Sequence, residues 1–394
     1  MLKLRMIIQK AERLQTISEY YFSTKLQQIR QMQIQGLEVI NLGIGSPDLP
    51  PPPDVLQELQ RSAQKPDAHG YQSYRGLPEL SQAISRFYKN TFGVRLNPEA
   101  EILPLIGSKE GIFHISMAFL NPGDTVLVPN PGYPAYTAVS NMLQAQIEYY
   151  DLREETHWRI DFDQLLQKDL QRVKILWTNY LHMPTGTDAN SEEFDKLIAL
   201  AHKYRFLIVN DNPYSLILND NPKSILETQG ALEVALELNS LSKSHNMAGW
   251  RIGWLAGKQE YIDTVLQVKS NMDSGMFKAL QKAAITALDA PLTWYQELNQ
   301  VYEQRRKIAE NLIQSLGCTF DNHQKGLFLW AKIPDNIQDV GDFCDRILNQ
   351  YHLFITPGFI FGSQGNRYLR VSLCSPVEIF EKALSRILQK PVLS

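Results

Sequence analysis

The sequence predicts an α/β protein: a mainly parallel central sheet sandwiched by helices, with a smaller α/β domain beside it. Three observations predict it. Through the middle of the chain, short apolar or β-branched runs alternate with helical stretches, the pattern of βαβ units. The 394 residues exceed one ordinary core and point to two or three domains. After about residue 290, a long helical segment leads into a second set of short apolar runs.

The elements follow in order. The first forty residues are polar and Gln-rich and read as a helix over about 7–35, ending at Gly36. The proline-rich stretch 47–53 (PDLPPPP) forces an extended connection. Strands are expected at 125–129 (TVLVP), 174–180 (KILWTNY), 206–210 (FLIVN), 235–239 (ALELN) and 252–256 (IGWLA). Between two of them, 191–204 (SEEFDKLIALAHKY) reads as a helix with Ser191 as N-cap and acids in the first turn. A helix over 294–316 then leads to the runs 326–333 (GLFLWAKI) and 368–373 (YLRVSL). These divide the chain into a large domain, 45–285, and a small one made of 1–44 together with 286–394.

Composition excludes several classes. The net charge of −3 leaves no broad basic footprint for nucleic acid. Lys, Arg, Gln and Glu break every apolar run near the N-terminus, which argues against a secretory signal. No stretch approaches a membrane span. Cys318, Cys344 and Cys374 lie far apart and outside any CxxC pair, so they read as reduced structural thiols of a cytoplasmic protein and imply no metal.

Three segments carry chemistry. In 239–254 (NSLSKSHNMAGWRIGW) a strand ends at a lysine flanked by serines, with Arg251 eight positions later. A partly desolvated lysine loses its proton and attacks carbonyls, while Ser240, Ser242 and Arg251 suit a phosphate. A solvated loop with a surface lysine is the plainer alternative. In 209–216 (VNDNPYSL) Asp211 closes a strand, where ligands bind in such sheets, and Tyr214 follows. An Asx-turn would explain Asp211 alone. Opposite a pyridine nitrogen its carboxylate would favour the protonated ring. In 105–113 (LIGSKEGIF) an apolar run ends at Gly107-Ser108-Lys109 and a helix begins, so its N–H groups can cradle an anion; an ordinary strand–turn–helix remains open.

Together these segments resemble the class I/II aminotransferases, the fold-type I pyridoxal-phosphate (PLP) enzymes, over about 41–374. LGIGSPDLP, YRGLPEL, LIGSKEGI, NPGDTVLVPNPGYPAY and SLSKSHNMAGWRIG look closest to the bacterial LL-diaminopimelate aminotransferase-like branch. The resemblance implies a homodimer and PLP carried by Lys243 as a Schiff base, with Lys243 also the proton shuttle. It implies that Asp211 pairs with the pyridinium, Tyr214 bonds the phenolic oxygen and Tyr133 stacks on the ring. Ser108, Lys109, Ser240, Ser242 and Arg251 would surround the phosphate. Tyr71, favoured over Tyr74 by its spacing to Gly76, would serve the partner subunit's phosphate. Arg370, favoured over Arg367, would grip the substrate α-carboxylate, with the Gly45 backbone close by. Lys109 would meet either the phosphate side or a distal substrate carboxylate. His114, His182 and His245 read as structural.

One departure stands out. The family turn Tyr-Pro-x-Asn-Pro-Thr-Gly reads Tyr180-Leu181-His182-Met183-Pro184-Thr185-Gly186 here. Met183 replaces an asparagine that donates to the cofactor's phenolic oxygen and touches the substrate carboxylate, and a thioether cannot donate. Either the lysine–cofactor linkage gains a higher pKa, or Tyr214 and water suffice; substrate class is opened in both cases. The expected reaction moves an amino group from an L-amino acid to a 2-oxo acid, 2-oxoglutarate by resemblance. A PLP-dependent β-lyase on the same scaffold is the alternative. A transcription regulator's sensor module would need a DNA-binding domain, for which one polar N-terminal helix is too short.

Overall fold

The strands of the central sheet alternate their side chains between two helical layers. In the computed structural model, which describes residues 8–14 and 21–390, this sheet has seven strands in the order β2-β8-β7-β6-β5-β3-β4. They are β2 (Ile102–Leu105), β3 (Thr125–Asn130), β4 (Gln146–Asp151), β5 (Val173–Thr178), β6 (Leu207–Asp211), β7 (Ala235–Ser240) and β8 (Gly253–Gly257). Ile175, Trp177, Val209, Leu236 and Leu238 point to one face, onto the helices Ser108–Phe119, Pro134–Met142 and Gln259–Lys269. Leu127, Leu176, Ile208, Ala235 and Trp254 point to the other, onto Pro78–Phe92, Ser191–Tyr204 and Lys278–Leu288. Burial on both faces explains why these strands read as continuous apolar runs.

The sheet is mainly parallel, as expected, with one exception. β8 runs antiparallel to both β7 and β2. Ser240 faces Gly253 across the β7–β8 pair and Leu105 faces Gly253 across β2–β8. The start of β8 therefore lies at the same end of the sheet as the carboxyl ends of β2, β3, β5, β6 and β7.

A second, antiparallel sheet has the order β12-β13-β10-β9, from β9 (Thr319–Phe320), β10 (Phe328–Lys332), β12 (Thr356–Pro357) and β13 (Tyr368–Ser372). The helices Leu292–Ser315, Val340–Tyr351 and Val377–Leu388 pack with it through Leu312, Phe343 and Phe380. Near the N-terminus, β1 (Ile40–Asn41) pairs in parallel with β11 (Leu353–Phe354), and Ser372 N donates to Leu42 O at 2.7 Å. Arg305 grips Asp48 with two bonds, 2.6 and 2.8 Å, and so anchors the start of the proline-rich connection.

Two local expectations are corrected. The N-terminal helix spans Tyr21–Ile34 rather than 7–35, with a separate 3-10 turn at Glu12–Leu14; positions 7 and 15–20 lie outside the described residues. Its lack of an apolar stripe left the start unmarked, whereas Gly36, at φ +85°, ends it where expected. The helix Ser191–Tyr204 is capped by Asn190 and not by Ser191. Asn190 sits in the extended conformation, its side chain accepts from Glu192 N at 2.9 Å, and Ser191 is already helical.

Candidate active site

At the shared end of the large sheet lies a cavity of about 810 Å³. β6 delivers Asp211 to it, and the turn after β6 delivers Tyr214. The end of β7 delivers Ser240, whose Oγ accepts from Ser242 N at 3.4 Å and caps the single turn Leu241–Ser244 that carries Lys243. The β2–helix turn brings Ser108 and Lys109, and the residues before β8 bring Arg251. Tyr133 arrives from the turn after β3, and Gly45, Met183 and Arg370 complete the lining. The structure thus gathers in one cavity every residue assigned a cofactor or substrate role from the sequence, except Tyr71. That side chain is 94% exposed, against 46% for Tyr74, and its neighbour Gln72 forms a β-bridge with Gly275.

The anion cradle has a specific shape. Gly107 precedes the helix Ser108–Phe119 with φ +84°, and a Cβ there would strike the Arg251 guanidinium. Glycine therefore lets a cation and the N–H groups of a helix start share one small space. Arg251 is held by its own left-handed backbone, φ +57°, and by Nη1 donating to Ala248 O at 3.0 Å.

Asp211 is buried. Its Oδ2 accepts from the Tyr136 hydroxyl at 2.9 Å, while its Oδ1 has no partner. Burial pushes its pKa up to about 7, with the Tyr136 bond opposing the rise and the Glu237 charge adding to it. Glu237, one strand over, is likewise pushed up to about 7 by burial, although Asn210, Ser224, Ile225 and Tyr88 all donate to it. Lys243 Nζ donates to Gly45 O at 2.6 Å and lies 5.9 Å from the Tyr214 ring centre. Burial holds its pKa below the ordinary lysine value, and the Arg370 and Arg251 charges push it the same way. A Cβ on Gly45 would collide with the Phe328 ring, so only glycine brings this carbonyl so close to the lysine.

Arg370, in the middle of β13, stacks its guanidinium 4.0 Å from the Phe328 ring centre and 4.7 Å from Phe361. Nη2 donates to Gly43 O at 2.8 Å and Nη1 to the Met183 thioether at 3.2 Å. Arg367 instead turns away to the carbonyls of Ile333, Pro334 and Ile337. The three singled-out histidines make internal bonds: His114 to Glu110, His182 to Thr185, and His245 to Ser244 and Tyr295. Burial lowers the pKa of His182 to about 3 and of His245 to about 4, so both are neutral.

Sequence reasoning missed five contributors. Tyr136 supports Asp211 from behind and stacks on Trp177 at 4.8 Å. Its signal was the tyrosine three residues after Tyr133, one helical turn further on. Asn179 donates to the Asp211 carbonyl and accepts from Met183 N at 2.9 Å, so it holds the altered turn against β6. Phe22, Ser23 and Leu26 of the N-terminal helix also line the cavity, and nothing in a polar helix announces that.

The sequence profile described as Aminotransferase class I and II matches residues 38–387. The chain belongs to the class I and II aminotransferases. It is 38% identical to an LL-diaminopimelate aminotransferase of Dehalococcoides mccartyi over 379 residues, 96% of this chain and 97% of that protein. Over 380 residues it is 37% identical to one from Aquifex aeolicus, covering 96% and 98%. Among solved structures, apo-BacF of Bacillus subtilis superposes with TM-score 0.93 at 35% identity, covering 98% of each chain. A probable N-succinyldiaminopimelate aminotransferase of Thermus thermophilus gives TM-score 0.86 at 30% identity, covering 93% of this chain and 99% of that one.

This aminotransferase is PLP-dependent, as its family is. Its own residues fit the group. The unpartnered Asp211 Oδ1 offers a buried acceptor to a ring N–H, and the Gly107 turn leaves room for a phosphate beside Arg251. Among the described residues no helix is long and apolar enough to cross a membrane, and no cluster could hold a metal ion.

Proposed function

We propose that this chain moves the α-amino group of an L-amino acid to a 2-oxo acid, with 2-oxoglutarate as acceptor, and that Lys243 holds the cofactor and shuttles the proton. What carries the reading is the convergence of a desolvated lysine, a carboxylate with an unbonded buried oxygen, and an anion cradle. When bound, PLP supplies an electron-withdrawing ring conjugated to the substrate's α-carbon. The other tasks fall to side chains. Ser108, Lys109, Ser240, Ser242 and Arg251 take the phosphate. Asp211 keeps a proton on the ring nitrogen, and Tyr136 fixes Asp211. Tyr214 donates to the phenolic oxygen and Tyr133 covers the ring face. Arg370 grips the α-carboxylate, clamped for that task between two aromatic rings. The Lys243 amine, neutral more readily than in water, would take and hold the proton of the substrate's α-carbon.

In a single-turnover experiment the loaded protein is expected to lose its visible band on addition of an L-amino acid. It should release the oxo acid one for one and regain the band with 2-oxoglutarate. Pyruvate and ammonia released from a cysteine conjugate, without any acceptor, would replace this reading with a β-lyase.

The same reading keeps the division into a large part, 45–285, and a small part of 1–44 with 286–394, which the β1–β11 pairing supports. It includes a homodimer in which the outward-facing Tyr71 serves the partner subunit's phosphate. Sedimentation should give twice 45.1 kDa. A fully active monomer would overturn that role.

A further inference from the structure

We infer that the amino donor carries an uncharged, apolar side chain, aromatic or long aliphatic, and not a second charged amino-acid head. The inference rests on the aminotransferase reading and narrows its substrate class. Three aromatic rings surround Arg370: Phe328 at 4.0 Å, Phe361 at 4.7 Å and Phe22 at 6.0 Å from the guanidinium carbon. Leu26 and Ile44 extend this apolar wall along the cavity. Met183 adds a thioether where a polar amide would have faced the substrate carboxylate, so the position beside Arg370 is apolar as well. A donor fixed by its α-carboxylate on Arg370 places its side chain among these groups, and burying hydrocarbon there is favourable.

The charges around the cavity disfavour a donor with a distal ammonium. Asp211 is the one acidic residue that lines it among the described residues, and its Oδ2 is bonded to Tyr136. LL-diaminopimelate, on which the curated relatives act by name, carries a distal ammonium as well as a distal carboxylate. Among the described residues, no further carboxylate lines the cavity to meet that ammonium. A single distal carboxylate brings no such ammonium, so glutamate and 2-oxoglutarate remain acceptable as the return pair.

The test compares single-turnover loss of the visible band with L-phenylalanine, L-leucine, L-methionine and LL-diaminopimelate. The best apolar donor is expected to exceed LL-diaminopimelate in kcat/KM by about a hundredfold, the upper end of the cost of leaving one buried polar group unsatisfied. Phe22→Ala should lower the ratio of L-phenylalanine to glutamate about tenfold, with thermal melting checked in parallel. If that variant fails to fold, Leu26→Glu takes its place: a carboxylate in the wall should raise LL-diaminopimelate relative to L-phenylalanine about tenfold. LL-diaminopimelate matching or exceeding every apolar donor would overturn the inference and leave the aminotransferase reading intact. Loss of the band with no amino acid of either class would sink both.

Discussion

Lys243→Ala is expected to abolish the cofactor-dependent band of the wild type and to lower transamination by at least about 10⁴-fold. Two tasks disappear together: the amine that holds the cofactor, and the base that carries the α-proton. Neither has a substitute nearby. The other amino group on the cavity wall, Lys109, belongs to the start of the helix Ser108–Phe119, on the cradle side of the cavity. Loss of fold does not explain such a result. Lys243 has a folded pKa below its unfolded value near 10.5, because burial and two guanidinium groups disfavour its charge. At neutral pH the folded chain therefore holds this proton less firmly than the unfolded chain, and that difference costs stability. Alanine removes the cost, so the variant without cofactor should melt no lower than the wild type. The Gly107 cradle and Arg251 are untouched, and PLP should still bind non-covalently. Retention of the wild-type band and turnover in Lys243→Ala would refute the central assignment.

How much of this was legible in the sequence depended on whether the signal was local. The strands at the centre of the large sheet were legible because burial on both faces makes them short continuous apolar runs bounded by polar turns. Lys243, Asp211 and the Gly107 turn were legible because each lies just past such a run, where an α/β sheet binds ligands. The strand β8 was read but its antiparallel direction was not, although only twelve residues separate Ser240 from Gly253. That stretch leaves too little chain for a helical crossover beside its capped lysine turn and 3-10 turn, so the strand returns directly. Contacts made across the fold left no local trace. Tyr136 meets Asp211 from 75 residues away, and Arg305 meets Asp48 from 257. The Phe22 wall was hidden for the same reason: one phenylalanine in a polar helix becomes informative only once that helix lies over the cavity. Met183 was conspicuous in sequence as a departure, but its partner, the Arg370 guanidinium, needed the fold.

Asp211→Asn separates the electrostatic task from binding. The phosphate cradle and Lys243 remain, so the variant should load PLP. The amide can accept from Tyr136 but can no longer offer a carboxylate to a ring N–H, and the ring nitrogen should stay unprotonated. Removing one partner of a buried charge pair costs about 3–5 kcal/mol. If that loss falls on the transition state, the rate drops about 10²–10⁴-fold. Stability without cofactor should move the other way. The folded pKa of Asp211 is raised from 3.8 to about 7, chiefly by burial. Between those values the folded chain binds more protons than the unfolded chain, so this group's contribution to stability falls as pH rises through the window and stays unfavourable above it. Asparagine has no such term. The cofactor-free variant should therefore melt higher than the wild type at pH 8, and the two should converge toward pH 4, with Glu237 present in both as an internal control. In the wild type, the ring cation would supply the charge that Asp211 lacks. PLP should accordingly raise the melting temperature more in the wild type than in Asp211→Asn, most of all at pH 8. Equal gains in the two proteins, together with a wild-type rate in the variant, would show that Asp211 does not face the ring nitrogen.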